Sequence, residues 1–328
     1  MNTTTPRPKT TFAKSLLAAT VLALSLGNPA FAQKAEPLAD SGDGLRIATG
    51  KKGKGYSKLF ADIRAVCGAQ VAITEVETEG GLQNLTRLAA NQADLGFVQL
   101  DTLQDMKGSD ESISALLAVM PLNANLLHAI ARSDGYRYEG AKRLGGLVAG
   151  ETITVQAEKL SDLKGLPVAV VGSARALGRV LDRRHVLNLR FVDVETDEQA
   201  LAMLSKGEVA GMLSTSGWPS GPIQKLKRDS NIRLLAYDLP VQAPYQLVRK
   251  NYENLDTFNH SFLAAPNLLV TRPFGATGAS GKAVVALQNC IQKNLKTLQE
   301  GRFEPAWMEV KRTTDSLGWA EFVGKGPR

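Results

Sequence analysis

Residues 78–101, TEGGLQNLTRLAANQADLGFVQLD, decide how this chain folds. Gly80 and Gly81 turn the backbone, since glycine takes positive φ at no steric cost. Leu82, Leu85, Leu88 and Ala89 then recur at helical spacing. DLGFVQ at 94–99 reads as a short strand. Upstream, 71–79 alternates Val71, Ile73 and Glu75 as a strand does. Farther out, 45–49 is another short strand, and it runs into the turn GKKGKG at 50–55. A helix follows over 56–67, with Leu59, Ile63 and Val66 on one face. Strand, helix, strand, helix, strand is the signature of a parallel sheet covered by helices.

The pattern repeats in the middle of the chain. Residues 126–132 read as a crossing strand and the glycine-rich 135–149 as a hairpin or loop. A helical turn at 161–165 precedes a strand at 168–171. Gly172 and Ser173 open a helix to 185, followed by strand 189–194, helix 197–206 and strand 209–213. A second crossing strand at 268–270 leads to a final helix over 282–298. Two α/β units joined by two crossings predict two lobes with a cleft between them. Lobe 1 is expected over 45–131 and 268–328, and lobe 2 over 132–267. Ligands of open parallel sheets sit beyond the carboxyl ends of the strands. The loops that meet this condition are 50–55, 78–81, 99–101, 172–175 and 214–219. A hinge closing over a small ligand is the motion such an architecture supports.

The N-terminus reads as a cleavable export signal over 1–32. Arg7, Lys9 and Lys14 give a positive start, 15–26 is apolar, and Gly27, Asn28 and Pro29 break the run. Ala30-Phe31-Ala32 places small residues where a signal peptidase cuts, making Gln33 the new N-terminus. The apolar run is shorter than the roughly 20 residues of a spanning helix. No cysteine stands at the cleavage point, which argues against a lipid anchor. A polar leader follows over 33–44. The expected destination is the periplasm. The formal charge is +7, and three of those positive charges leave with the signal, so the mature chain carries +4. That balance gives no argument for nucleic acid. Cys67 and Cys290 are the two cysteines. In an oxidising compartment they are a candidate disulfide; the alternative is two buried thiols in separate helices.

The cleft loops carry a resemblance. The chain resembles the TAXI group of extracytoplasmic solute-binding proteins, the receptors associated with TRAP transporters. That family's first loop is commonly I-G-T-G-G-T-G-G-V-Y-Y-P, matched here by Ile47, Thr49, Gly50, Gly53 and Tyr56. Its second signature is similar to T-G-G-S-V-E-N-L-R-L-L-A-S-G-E-A-D-L-A-F-V-Q-S-D. Thr78, Gly80, Asn84, Leu85, Leu88, Ala89, Ala93, Asp94, Leu95, Phe97, Val98, Gln99 and Asp101 match it in register. Leu163-Lys164-Gly165 and Gly217-Trp218-Pro219 are also similar. The resemblance covers 45–298 and leaves the tail from Gly301 unexplained. It implies a type II periplasmic-binding-protein-like fold and a monomeric receptor. It also implies a carboxylate-bearing solute, an organic acid or acidic amino acid, delivered to TRAP-type membrane subunits without a cofactor. The departures lie in the loops. Lys51, Lys52, Lys54 and Lys58 replace Gly, Thr, Gly and Pro; Glu79 replaces Gly and Gly81 replaces Ser. A shorter Ser173-Ala174-Arg175-Ala176 stands in place of a Ser-Gly-Thr segment.

The candidate ligand-binding residues are therefore Thr49, Gly50, Gly53, Tyr56, Thr78, Gly80, Gly81, Gln99, Asp101, Ser173, Arg175 and Trp218. Helix N-termini after the glycine turns offer free N–H groups to a carboxylate or phosphate, with plain turn geometry as the alternative. Arg175 at a helix start is suited to clamp a carboxylate; otherwise it pairs with a neighbouring acid. The lysine cluster either draws in an anion or is a solvated rim. Tyr56 and Trp218 are candidates to stack on or cap a ligand, and Tyr56 also to pack beneath the first loop. Gln99 and Asp101 are hydrogen-bonding candidates, with helix capping as the commoner use of Asp101. Glu75, Glu77 and Glu79 share a strand face, read as solvated rather than as a cation site. His128, His185 and His260 are isolated, and no metal spacing or nucleophile elbow is present. An exported enzyme thus has no support in the sequence. A receptor that signals to a membrane partner instead of serving transport is the second reading.

Overall fold

The computed structural model describes Met1 and residues 44–108, 110–140, 150–255, 257–275, 277–312 and 316–323. The expected signal peptide, all of the leader but Gly44, and 141–149 of the glycine-rich stretch lie outside the described residues. From Gly44 on, the described residues belong to one compact unit, Pro37–Arg328.

The first α/β unit comprises β1 (Leu45–Ala48), α1 (Gly55–Cys67), β2 (Ile73–Val76), α2 (Gly81–Ala89) and β3 (Leu95–Gln99). Two short helices follow, α3 (Leu100–Met106) and α4 (Glu111–Ser114). The chain then crosses on β4 (Leu117–Arg132) into a two-stranded ladder, β5 (Tyr136–Glu139) with β6 (Thr152–Val155). The second unit is β7 (Pro167–Val171), α5 (Ala174–His185), β8 (Arg190–Val194), α6 (Asp197–Lys206) and β9 (Gly211–Ser216). Helix α7 (Gly221–Gln224) and strands β10 (Ile232–Leu234) and β11 (Gln246–Tyr252) precede the return crossing, β12 (Thr257–Thr271). Helices α8 (Ala279–Lys293) and α9 (Leu295–Glu300) close the chain on the first unit's side.

The main sheet runs β2-β1-β3-β12-β4-β9-β7-β8. Its outer triplets are parallel, β2-β1-β3 on one side and β9-β7-β8 on the other. The crossings β4 and β12 lie antiparallel between them. Side chains alternate across the pleat and sort into four apolar clusters. Phe97 and Leu269 face one layer, Val98 and Leu268 another. Leu127 and Ala129 face a third layer, Leu126 and Ile130 a fourth. Each crossing therefore contributes to all four clusters, two in each lobe. Residues such as Met120 and Leu268 pack in lobe 1, while Leu127 and Leu263 pack in lobe 2.

The expected repeats are present, and the differences have local causes. Helix α6 is the one the pattern predicts, because Thr196 and Gln199 form a reciprocal capping box and Gly207 ends it at φ 72°. The first crossing begins at Leu117, well before 126, through polar Asn123 and Asn125 that break the apolar run. Register shifts between β12 and β4 at Pro266/Leu268 and Leu269/Val270 carry the pair past Pro121. The final helix is interrupted at Asn294, whose side-chain amide donates to the Cys290 carbonyl at 2.9 Å. Cys67 and Cys290 form a disulfide joining α1 to α8. Among the described residues, no helix is long and apolar enough to cross a membrane.

Candidate functional site

The loops at the carboxyl ends of the strands are held by buried side chains before they reach any ligand. Thr49 is fully buried, and its hydroxyl donates to Glu75 at 2.8 Å. Asn84 donates from Nδ2 to the carbonyls of Thr49 at 2.6 Å and Phe97 at 2.7 Å. Thr78 donates to Asn84 Oδ1 at 2.6 Å and accepts from the Gly80 N–H at 3.0 Å. One α2 side chain thus ties the ends of β1 and β3 to the 78–80 turn. Gly80 has φ +126°, a backbone that a side chain would strain. A Cβ built on Gly50 would lie within 4.0 Å of both Tyr56 and Gly80. Gly53 is exposed, with nothing within 4 Å of such a Cβ. Thr49 and Thr78 therefore shape the loops from below, and Gly53 stands apart from the other candidates.

The two lobes meet at Gly81, where a Cβ would lie 3.5 Å from the Ser173 hydroxyl and 3.7 Å from the Gln99 amide nitrogen. The glycine turns that begin α2 and α5 thus face each other across a seam, beside the end of β3. Helix α3 packs on α5 along the same seam. Asp105 lies 2.9 Å from Arg183 and 3.9 Å from Arg179, an ionic contact between the lobes.

The floor of the seam is a buried polar cluster built on the crossings. Tyr56 stacks on Phe97 with ring centroids 5.4 Å apart, and its hydroxyl donates to Asn267 Oδ1 at 2.8 Å. Asn125 donates to Gln99 Oε1 at 3.1 Å. Gln99 in turn donates from Nε2 to both Asp101 oxygens, at 2.9 and 2.8 Å. Asp101 also accepts the N–H of Thr102 at 2.6 Å, in the first turn of α3 rather than as its cap. Burial raises the Asp101 carboxyl to about 7, against the pull of the Gln99 and Thr102 hydrogen bonds. Burial and the charge of Asp101 push the Tyr56 phenol up as well.

Three of the charged candidates face acids. Lys51 pairs with Glu79 at 2.7 Å, and Lys58 with Glu304 at 3.1 Å. The Lys52 backbone N–H, not its ammonium group, donates to Glu77 at 2.9 Å. Arg175 Nε lies 2.7 Å from Asp193 Oδ1, close but off-line for a hydrogen bond. Trp218 is 41 % exposed, with Lys250 Nζ 4.5 Å above its ring. The Ser220 N–H just beyond donates to Tyr252 at 2.7 Å. Tyr252 meets Nε2 of buried His128 at 2.9 Å, which links the 217–220 loop to the first crossing.

Several seam residues carry no sequence signal that singles them out. Asn125 and Asn267 interrupt apolar crossing strands, and that interruption is the one cue available. Tyr245 sits in an irregular segment beside Pro244, yet is 4 % exposed and packs in the lobe 2 core. Surface concavities of about 370 and 490 Å³ lie elsewhere, one at Leu88 and Phe274, the other at Val194 and Met203. Among the described residues no cluster suited to a metal ion is present.

Solved structures share this architecture. A histidine kinase sensor domain described as similar to periplasmic binding proteins aligns at a TM-score of 0.50. It is 15 % identical, over 81 % of this chain and 96 % of that one. An amino acid ABC transporter substrate-binding protein from Streptococcus pneumoniae, solved with L-arginine, aligns at 0.49 with 11 % identity, over 82 % and 96 %. An arginine transport periplasmic binding protein from Legionella pneumophila aligns at 0.45 with 12 % identity, over 82 % and 99 %. No family model matches the chain, and no curated protein does. The fold is that of the two-lobe, periplasmic-binding-protein-like α/β domains.

Proposed function

We propose that this chain is a periplasmic solute receptor of the TAXI type. It is exported by the signal at 1–32 and captures a small anionic organic solute by closure of lobe 2 (132–267) on lobe 1 (45–131 and 268–328). It then hands the solute to a TRAP-type membrane transporter. The observation that carries this reading is the opposition of Gly81 and Ser173 across the seam. Two helix N-termini, one per lobe, aim N–H groups at one place, an arrangement suited to an anionic group. The hinge lies within β4 and β12, the two strands shared by both cores. The in-register match over 78–101 supports the family, and Gly50, Tyr56, Gly80, Gln99, Arg175 and Trp218 complete the proposed wall. On ligand binding a carboxylate replaces Asp193 as the partner of Arg175.

The test is isothermal titration of the mature chain with dicarboxylates, amino acids and sugars. Stoichiometric binding of an acid is expected, and Arg175→Ala should weaken it by about 2–3 kcal/mol. Binding of neutral sugars alone would refute the anionic ligand, and unchanged affinity would remove Arg175 from the site. The fold match to a kinase sensor domain favours a second reading, in which the closed form signals to a membrane partner. Ligand-dependent solute uptake by reconstituted transporter subunits separates the two.

A further inference from the structure

One guanidinium of lobe 1 keeps most of its donors unused. Asp94, just ahead of β3, is bound chiefly by Arg46. Arg46 Nη2 donates to Oδ1 at 2.7 Å, and its Nε and backbone N–H each donate to Oδ2 at 2.9 Å. Arg272, just after β12, reaches the same carboxylate through Nη1 alone, at 3.3 Å. Among the described residues its fork makes no other hydrogen bond. The backbone holds this arginine in place. Its N–H donates to the Asp94 carbonyl at 3.2 Å, and the Phe274 N–H donates to the Arg272 carbonyl at 2.8 Å. The guanidinium carbon sits 4.9 Å from the centroid of the Phe274 ring, and the side chain is 25 % exposed. Arg272 lines a concavity of about 370 Å³, a volume within the range of small-molecule sites. Leu88 and Ala89, in the last turn of α2, give it an apolar wall together with Phe274. Glu111 and Ser112 of α4 complete the lining that matters here. The place is remote from the seam. Thr271 pairs with Leu95 at one end of β3, whereas Asn267 pairs with Gln99 at the other.

We propose that this concavity is a second binding site, for a small monocarboxylate with an apolar body. The carboxylate accepts two parallel N–H bonds from the part of the Arg272 fork that Asp94 leaves open. The apolar body covers Leu88, Ala89 and Phe274 and sheds water from them. An anion there also answers an imbalance of charge, because Arg272 shares its one acid with a second arginine that binds it more closely. The lining discriminates as well. A second acid group on the ligand would meet Glu111, and a like-charge contact is a means of rejecting the wrong ligand. The site stands apart from the proposed cleft between the lobes, so either one can hold without the other.

The test is an amide-resolved NMR titration of the mature chain at neutral pH with phenylacetate, hexanoate, adipate and phenylethanol. Shifts at Ala89, Ser112 and Phe274 report the concavity, and shifts at Gly81 and Ser173 report the seam. Phenylacetate and hexanoate should bind at the concavity with dissociation constants of about a millimolar or below. Phenylethanol, which lacks the anion, should bind there about tenfold more weakly than phenylacetate. Adipate should bind several-fold more weakly than hexanoate, and Glu111→Gln should remove that handicap. Arg272→Gln should weaken both monocarboxylates at least about tenfold. Ser112→Phe should do the same by crowding the concavity from an exposed position, with the Asp94 contacts intact. The spectra themselves show whether each variant is folded. No shift at the concavity up to about ten millimolar ligand overturns the site. So does an affinity there that survives Arg272→Gln and Ser112→Phe, or one that phenylethanol equals. Shifts confined to the seam overturn it too, and leave the receptor reading standing.

Discussion

The two lobes share a β-α-β-α-β frame but are tied down differently. Lobe 1 is closed by the Cys67–Cys290 disulfide and by the chain after Gly301, which wraps it. Trp307 is fully buried and donates from its indole to Asp62 at 2.9 Å, while the Glu304 N–H donates to the same oxygen. Trp319 donates to the Leu116 carbonyl at 2.7 Å, and Phe322 donates to the Ala118 carbonyl at 2.8 Å. Asp94, nearly buried, binds Arg46 at 2.7 Å and Arg272 at 3.3 Å. Among the described residues lobe 2 has no disulfide; its ion pairs, such as Arg132–Asp134 and Arg233–Glu158, are partly exposed, and its buried tie is the neutral Ser220–Tyr252–His128. In the proposed closure the difference assigns roles: lobe 1 is the fastened base that holds Gln99 and Asp101, and lobe 2 the partner that moves.

Removing the tail's anchor should break that contrast most strongly. Trp307→Ala deletes a fully buried indole and leaves Asp62 without one of its donors. It should cost about 3–5 kcal/mol, read by urea denaturation, with lobe 1 losing hydrogen-exchange protection first. A loss below about 1 kcal/mol, or earlier opening of lobe 2, would show that the tail does not fasten the base.

Acid should act on the lobes in opposite order. Burial holds His128 down to about 4, against about 6.5 when unfolded. Between those values the unfolded chain takes up a proton that the folded chain refuses. Stability contributed by neutral His128 is therefore full above pH 6.5 and falls toward pH 4, by up to about 3 kcal/mol. Burial lowers His260, which like His128 packs on Phe262 on the lobe 2 side of the crossings, in the same direction. Arg46 and Arg272 outweigh burial and hold Asp94 below its ordinary value, so its contribution to lobe 1 persists above about 3.9 and is lost only beneath it. Asp101 runs against His128: its raised value penalises the folded state above 7, and acid relieves it. Hydrogen exchange resolved by lobe, at pH 7 and pH 5, should show lobe 2 loosening while lobe 1 holds. Loosening of lobe 1 first would reverse the assignment.

Much of the frame was legible because periodicity reports burial directly. Leu85 and Leu88 of α2, and Leu95, Phe97 and Val98 of β3, are buried as their spacing predicts. The crossings were only half legible. Asn123, Asn125 and Asn267 look like surface residues, yet Asn123 and Asn267 are buried and Asn125 half-buried, because each finds polar company on the crossings. The site was legible on the glycine turns and less so elsewhere. For Arg175 the sequence leaves a ligand clamp and an acid partner open, and for Lys51 an anion site and a solvated rim; their acids, 18 and 28 residues away in sequence, are seen only in the fold.

The seam itself offers the smallest and sharpest test. Asp105 is the acid of α3 that reaches across to α5, and its two arginine partners are about half exposed. Solvent screens such pairs, so Asp105→Asn should change global stability by well under 1 kcal/mol. In the proposed closure this contact is one that the closed lobes make, and its loss acts on the balance between open and closed. A change too small to register in denaturation should still shift that balance several-fold. Small-angle scattering of the ligand-free variant should show a larger radius of gyration than the parent at low salt, with the difference fading at high salt. An equal radius at both salts would mean that the ionic contact follows closure and does not favour it. The lobes would then be held by the packing of α3 on α5 and by the buried cluster at Gln99 and Asp101.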